Sequence, residues 1–212
     1  MKVLLLDASS ERISFGFSID GTLESYNELN SENNADLLTY EVKCWFRETG
    51  RAFSEIDVVS LSNGPGSFTG LRISSAIAKG ISYSLSKKLV EVNSLDILAE
   101  CASKFNSSRI IVPVISSNMR TGEYYYAEYN INNEKADRVS DYKIDLVTNI
   151  AKNALLVSRT DIKDRELIKV LKSEEMIAQN YLTRKKIADN NFADIFFSEP
   201  FYMKEFIPIK HS

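Results

Sequence analysis

A chain of 212 residues has room for one large domain or two small ones, and 44% hydrophobic with 26% charged residues is the balance of a folded globular protein. Its formal net charge of −3 offers no general attraction for polyphosphate, which argues against a dedicated nucleic-acid binder. The apolar run Val3 to Leu6 meets Asp7 at once and is too short for a secretory signal or a bilayer span, so the expected compartment is the cytoplasm, without membrane contact.

Residues 3 to 6 form a compact apolar run, 12 to 19 alternate through Ile13, Phe15, Phe17 and Ile19, and 22 to 29 can pair back after the turn at Asp20-Gly21. Three strands in a row are expected. A helix follows over about 34 to 49, with Leu38, Val42, Trp45 and Phe46 at helical spacing and Gly50 to stop it. Residues 57 to 62 read as a buried strand, 70 to about 85 as a helix with Ile73, Ile77, Ile81 and Leu85 on one face, 89 to 92 as a strand and 94 to about 104 as a helix. This alternation predicts a layered α/β domain.

The second half restarts with a strand at 110 to 115, a Tyr-rich alternating strand at 124 to 131, and a third strand over about 138 to 146 after a turn near Asn132-Asn133. A strand at 154 to 158 and a helix at 174 to 188 close it. Two halves that each open on a three-strand meander suggest a duplicated fold with a shortened second copy. The expected division is a first lobe of residues 1–105 and a smaller second lobe with a tail, 106–212.

The loop Gly64-Pro65-Gly66-Ser67-Phe68-Thr69-Gly70 is the strongest local signal. Its glycines free the backbone, and Ser67 or Thr69 can cap the helix that follows, whose N-terminus presents N–H groups to an anion. A tight turn with a helix cap accounts for the same residues. A phosphate loop of the Walker kind needs a Gly-Lys-Ser/Thr run, and no lysine occurs between Lys43 and Lys79. The next helix is rich in small side chains (Ser74, Ser75, Ala76, Ala78, Gly80, Ser82, Ser84), which suits close packing either inside its own domain or against another molecule.

Asp7-Ala8-Ser9-Ser10 lies at the turn after the first strand, where sugar kinases and actin-like ATPases hold phosphate and magnesium with an acid and hydroxyls. Asp7, Ser9 and Ser10 would then be a vestigial phosphate loop; a plain strand-end turn is the other reading. The matching turn of the second half, Ser116-Ser117-Asn118, carries an amide in place of a carboxylate. Absences weigh more. The single histidine is His211, so a Ser-His-Asp or Cys-His mechanism has no base, and neither a GxSxG elbow nor an HExxH pair is present. No glycine follows Gly122 to build an adenosine-gripping loop. Cys44 and Cys101 have no CxxC partner and fit small core residues. Arg184-Lys185-Lys186, Lys204 and Lys210 read as solvated basic residues.

The run Asn63-Gly64-Pro65-Gly66-Ser67-Phe68-Thr69-Gly70-Leu71-Arg72-Ile73, followed by Ala78-Lys79-Gly80, resembles the signature of the TsaB (YeaZ) family. Leu4-Leu5-Leu6-Asp7, the segment Arg120 to Ala127 and Glu199 to Lys204 extend the resemblance over almost the whole chain. It departs at Asn33-Asn34, where the family often has His-Ser, and at Asn118, where Asp is common.

The resemblance implies an actin-like ASKHA (RNase H-like) fold of two lobes. It also implies a role in making threonylcarbamoyladenosine at position 37 of tRNAs reading codons that start with A. The family member is then a non-catalytic partner that binds and stabilises TsaD, the metal-containing catalytic paralogue, together with the ATPase TsaE. ATP and metal are expected on those partners, none on this chain, with tRNA contact indirect and a homodimer when the chain is alone. The implied docking surface joins the helices of about 34 to 49 and 70 to 86 through Leu38, Val42, Trp45, Thr69, Arg72, Ile73, Ser75, Ala76, Ala78, Lys79 and Ser82. A small-molecule kinase or ATPase of the same fold, resting on Asp7, Ser9, Ser10 and the glycine loop, is the alternative.

Overall fold

The computed structural model describes residues 1–30, 35–104, 109–118 and 121–203. Alternation in the first strands sorts side chains between two cores. β1 (Lys2–Asp7) sends Leu4 and Leu6 to one side and Val3 and Leu5 to the other, all buried. β2 (Arg12–Ile19) places Ile13, Phe15 and Phe17 on the first side and the small residues Ser14, Gly16 and Ser18 on the second, while β3 (Thr22–Asn30) returns antiparallel along it. After α1 (Ala35–Glu48) come β4 (Val58–Ser62), α2 (Phe68–Ser84), β5 (Lys88–Val92) and α3 (Ser94–Ser103). The strand order is β3-β2-β1-β4-β5, with the meander antiparallel and β1, β4 and β5 parallel.

The second sheet repeats this plan. β6 (Arg109–Asn118), β7 (Glu123–Tyr126), β10 (Lys143–Leu146), β11 (Leu155–Ser158) and β12 (Leu167–Lys169) lie in the order β10-β7-β6-β11-β12, again with an antiparallel meander joined to a parallel set. The copy is shorter because loops, not helices, connect β10 to β11 and β11 to β12. A hairpin of β8 (Tyr129–Asn132) and β9 (Lys135–Arg138) continues the meander along the same edge of β6 as β7, opposite β11.

The strand expected over 124 to 131 is present as β7 and β8, which follow β6 in one register with a break at Ala127-Glu128. The long β6 pairs through Val114 to Asn118 with β7 and through Arg109 to Ile111 with β8, and the ladder lapses only between them at Ala127-Glu128. At that break Ser140 Oγ accepts the Glu128 N–H at 2.9 Å. The expected strand at 138 to 146 is likewise two pieces, β9 and β10, separated at Ser140. β12, three residues long, was not anticipated.

The helices tie the halves together. α3 packs on β6, β9 and β11 of the second sheet, whereas α4 (Lys172–Ala188) crosses back onto β1, β2, β3, β4 and β5 of the first. The small face of β2 receives it: a Cβ on Gly16 would lie 3.0 Å from Met176 Cγ. Some polar groups in this layer are matched, with Gln179 Nε2 donating to Leu6 O and Ser60 Oγ at 3.2 Å each and Ser60 Oγ 2.6 Å from Thr183 Oγ1, while Gln179 Oε1 and the Ser14 and Ser18 hydroxyls have no hydrogen-bond partner. Residues 193 to 201 then run back along β5, where Ala193 N donates to Leu89 O and Phe201 N to Asn63 O, both at 2.8 Å. Cys44 and Cys101 are buried, unbridged thiols. No helix among the described residues is long and apolar enough to cross a membrane. Asn33, Asn34, Arg120, Lys204, Lys210 and His211 lie outside the described residues, as does the side chain of Asn118.

Candidate functional site

The glycine loop is used for packing. Ser67 caps α2 by accepting the Gly70 N–H at 3.3 Å, and its own N–H donates to Ser9 O at 2.9 Å. A Cβ on Gly66 would stand 2.1 Å from Ser9 O, and one on Gly70 2.0 Å from Ala8 O. The helix N-terminus is therefore pressed onto the turn that follows β1, and both positions demand glycine for contact with backbone, with no cradle left between loop and turn. Gly64 adopts φ +112° beside Phe201 O, a conformation L side chains resist.

Beneath that turn lies a buried charge cluster that was not legible in the sequence. Lys172, on the first turn of α4, directs Nζ at Asp7 Oδ2, with Glu175 Oε2 at 3.4 Å and Ser10 Oγ at 3.5 Å. Arg159, just past β11, holds Glu175 through Nε at 2.9 Å and Nη2 at 2.7 Å, and donates from Nη2 to Ser9 Oγ at 3.0 Å. Asp7 Oδ1 accepts the Ser9 N–H at 2.8 Å, so both carboxylate oxygens are engaged. Burial alone would raise the Asp7 pKa, but Lys172 and Arg159 hold it well below the usual carboxylate range. Burial pulls the Arg159 pKa down, and its acidic neighbours, Glu175 first and then Asp7, together push it up by more, so the guanidinium stays charged.

The candidate site residues thus divide. Asp7, Ser9 and Ser10 meet at one place, and their functional atoms face the cationic side chains of Lys172 and Arg159. In the second half, Ser116 and Ser117 have buried hydroxyls without a hydrogen-bond partner. Among the described residues no group of three or more His, Cys, Asp or Glu is arranged to hold a metal.

The eleven docking candidates divide as well. Leu38, Val42 and Ala78 belong to the core between the first sheet and its outer helices, and Ser75 and Ser82 are buried too, so these five cannot meet a partner. The physical reason is the close seat of α2 on β4, which takes the small side chains of that face. Thr69, Arg72 and Ala76 are exposed, Ile73 and Lys79 half-buried, and Trp45 is half-buried against Phe17 and Phe46 at 5.2 and 5.0 Å between ring centroids. With Gly80 and Tyr83 the exposed positions 69, 72, 76, 80 and 83 form one stripe along α2. Nothing lies within 4 Å of a Cβ placed on Gly80. Aromatic pairs mark both ends, Phe68 with Tyr202 at 5.2 Å and Tyr83 with Phe196 at 5.9 Å, and Phe197 beside them is 84% exposed. Lys79 Nζ binds Ser198 O at 2.9 Å and fixes the C-terminal segment at this face. Sequence reading missed Phe196 and Phe197; their adjacency in a polar tail was the available signal.

A cleft of about 230 Å³ at the ends of β4 and β5 is lined by Asn63, Asn93, Asp96, Tyr142, Lys186 and Phe201 among others. Asp96 Oδ1 accepts from Tyr129 at 2.6 Å and Tyr142 at 2.9 Å, and burial together with that carboxylate pushes both phenols upward.

The family described as TsaD, tRNA N6-adenosine threonylcarbamoyltransferase, matches residues 27–202. Curated relatives narrow this to one branch: the tRNA threonylcarbamoyladenosine biosynthesis protein TsaB of Escherichia coli K12 is 30% identical over 129 residues, 61% of this chain and 55% of that protein. The protein of the same description from Buchnera aphidicola of Acyrthosiphon pisum is 26% identical over 185 residues, 87% and 80% of the two chains. The chain belongs to the TsaB (YeaZ) branch of this family. Its match spans about half the length of the Escherichia coli and Haemophilus influenzae TsaB proteins, 55% and 53%. YeaZ from Pseudomonas aeruginosa superposes with a TM-score of 0.76 at 20% identity over 95% of this chain and 99% of that one. A structure described as an uncharacterised protein with similarity to peptidase YeaZ from Pseudomonas aeruginosa gives 0.77 at 21%, over 96% and 99%. These likenesses establish the TsaB fold, which with the repeated sheet plan is the actin-like one the sequence predicts.

Proposed function

We propose that this chain is a non-catalytic accessory subunit for threonylcarbamoyl transfer to tRNA adenosine, docking onto and stabilising a TsaD-like catalytic paralogue. The observation that carries the reading is the outward stripe of α2, where Ala76 and Gly80 leave backbone open to close approach and aromatic pairs flank both ends. Membership of the TsaB branch supports it, since relatives bear the name of a threonylcarbamoyladenosine biosynthesis protein. A TsaE-like ATPase completes the assembly, ATP and metal belong to the partner subunits, tRNA contact is indirect, and the same stripe pairs two copies when the paralogue is absent. The compartment is the cytoplasm. The kinase or ATPase alternative is disfavoured because both oxygens of Asp7 are already engaged.

The stripe is tested by Ala76→Trp and Gly80→Trp, one at a time. Both positions are exposed, so the fold and melting temperature are expected to stay near the parent's. Binding to the host's TsaD-like protein, measured by calorimetry, is expected to weaken about five-fold to over a hundred-fold, the equivalent of about 1–3 kcal/mol of overpacking. Two folded variants that bind as tightly as the parent would place the docking surface elsewhere.

A further inference from the structure

We infer that the oxygens of Asp7, Ser10 and Glu175 form a cation site whose resident cation is the chain's own Lys172 ammonium, secured by Arg159. Two segments distant in sequence supply the oxygens: the end of β1 with the turn after it, and the first turn of α4. Nζ of Lys172 faces Asp7 Oδ2, Glu175 Oε2 and Ser10 Oγ, the arrangement of donors a hard cation takes. The side chains of Asp7, Lys172 and Glu175 are each 1–2% exposed, so no bulk water replaces the ammonium. Arg159 binds the far side of Glu175 and reaches Ser9, so a phosphate arriving at the turn finds its hydroxyl taken and Glu175 behind it. Gly66 and Gly70 close the remaining space against Ser9 O and Ala8 O.

The consequence is a joint between the two halves that needs no diffusible ion or nucleotide to close. Asp7 belongs to the first sheet, Arg159 follows β11 of the second, and α4 carries Lys172 and Glu175 between them. A tethered cation is present at unit occupancy at every metal and nucleotide concentration. The chain therefore holds one arrangement of its halves where a nucleotide-dependent relative of this fold would alternate between two. This inference does not depend on the docking reading, because it concerns the isolated chain.

The experiment is a Mn²⁺ titration by electron paramagnetic resonance with thermal melts in parallel, on the parent and on Lys172→Ala. For the parent, no bound Mn²⁺ signal is expected, and no change of melting temperature with millimolar Mg²⁺ and ATP. For Lys172→Ala, which leaves the carboxylates facing an ammonium-sized space, saturable Mn²⁺ binding is expected, with a melting temperature that climbs with metal concentration above the Kd. If the alanine variant does not fold, Lys172→Gln takes its place, and the parent measurement decides in either case. A parent stabilised by Mn²⁺, Mg²⁺ or ATP, with that effect abolished by Asp7→Ala, would overturn the inference. So would a folded Lys172 variant that binds no metal.

Discussion

Gly70→Ala is expected to lower stability by about 3 kcal/mol or more, although alanine in a helix is ordinarily favoured over glycine by about 1 kcal/mol. The reversal of sign comes from geometry. The new methyl would sit 2.0 Å from Ala8 O and 3.1 Å from Ala8 C, backbone atoms of the turn after β1 that cannot rotate away. Relief requires α2 to lift from that turn, which strips the Ser67 to Ser9 hydrogen bond and loosens the core beneath Leu71 and Ser74. At about 2–4 °C per kcal/mol for a chain of this size, the melting temperature should fall by about 6–12 °C or more. Gly80→Ala is the internal control: its Cβ meets nothing within 4 Å, so it should gain up to about 1 kcal/mol. Equal and mild effects at both glycines would contradict the packing role assigned to the signature loop.

Asp7→Asn is expected to cost about 3–5 kcal/mol, since removing one member of a buried pair leaves the other charge uncompensated. Lys172 would keep Glu175 at 3.4 Å as its one carboxylate partner, with the Ser10 hydroxyl at 3.5 Å. The sign of the pH dependence follows from Asp7 itself. Its folded pKa lies below the ordinary 3.8, so its contribution is complete above about pH 4 and is lost as pH falls through the folded value. The parent should therefore lose stability steeply below pH 4, and Asp7→Asn should lose it less steeply over the same range. Chemical denaturation at several pH values measures both. Combining Asp7→Asn with Lys172→Met should cost less than the sum of the single changes, because the double variant strands no ammonium.

How far the sequence revealed these features depended on the range over which each is determined. β1 to β5 and α1 to α3 were legible because turn residues, helix stops and two-residue or 3.6-residue periods are local, and the signature loop lies among them. The second half was legible only in outline: the break of 124 to 131 at Ala127-Glu128 coincides with a side-chain bond from Glu128 N–H to Ser140, which no local period shows. The helical period of α2 showed a small-residue face without telling which face the sheet would take, so Ser75, Ala78 and Ser82 were grouped with Ala76 although they point inward. The partner of Asp7 was least visible, since Lys172 is 165 positions away and carries no motif. A turn that resembles a phosphate site by residue type proves to be a closed ion cluster once α4 is laid across it.

The central claim, that this chain assists a modification it does not itself catalyse, is tested most directly by reconstituting threonylcarbamoyl transfer to tRNA. The assay combines the host's TsaD-like paralogue, its TsaE-like ATPase and a threonylcarbamoyl donor, with the parent chain, with Ala76→Trp, or with neither. The account predicts modified adenosine with the parent, sharply less with Ala76→Trp at equal concentration, little without the chain, and none when the TsaD-like protein is left out. Undiminished modification in the absence of this chain, or modification by this chain without the TsaD-like protein, would contradict it.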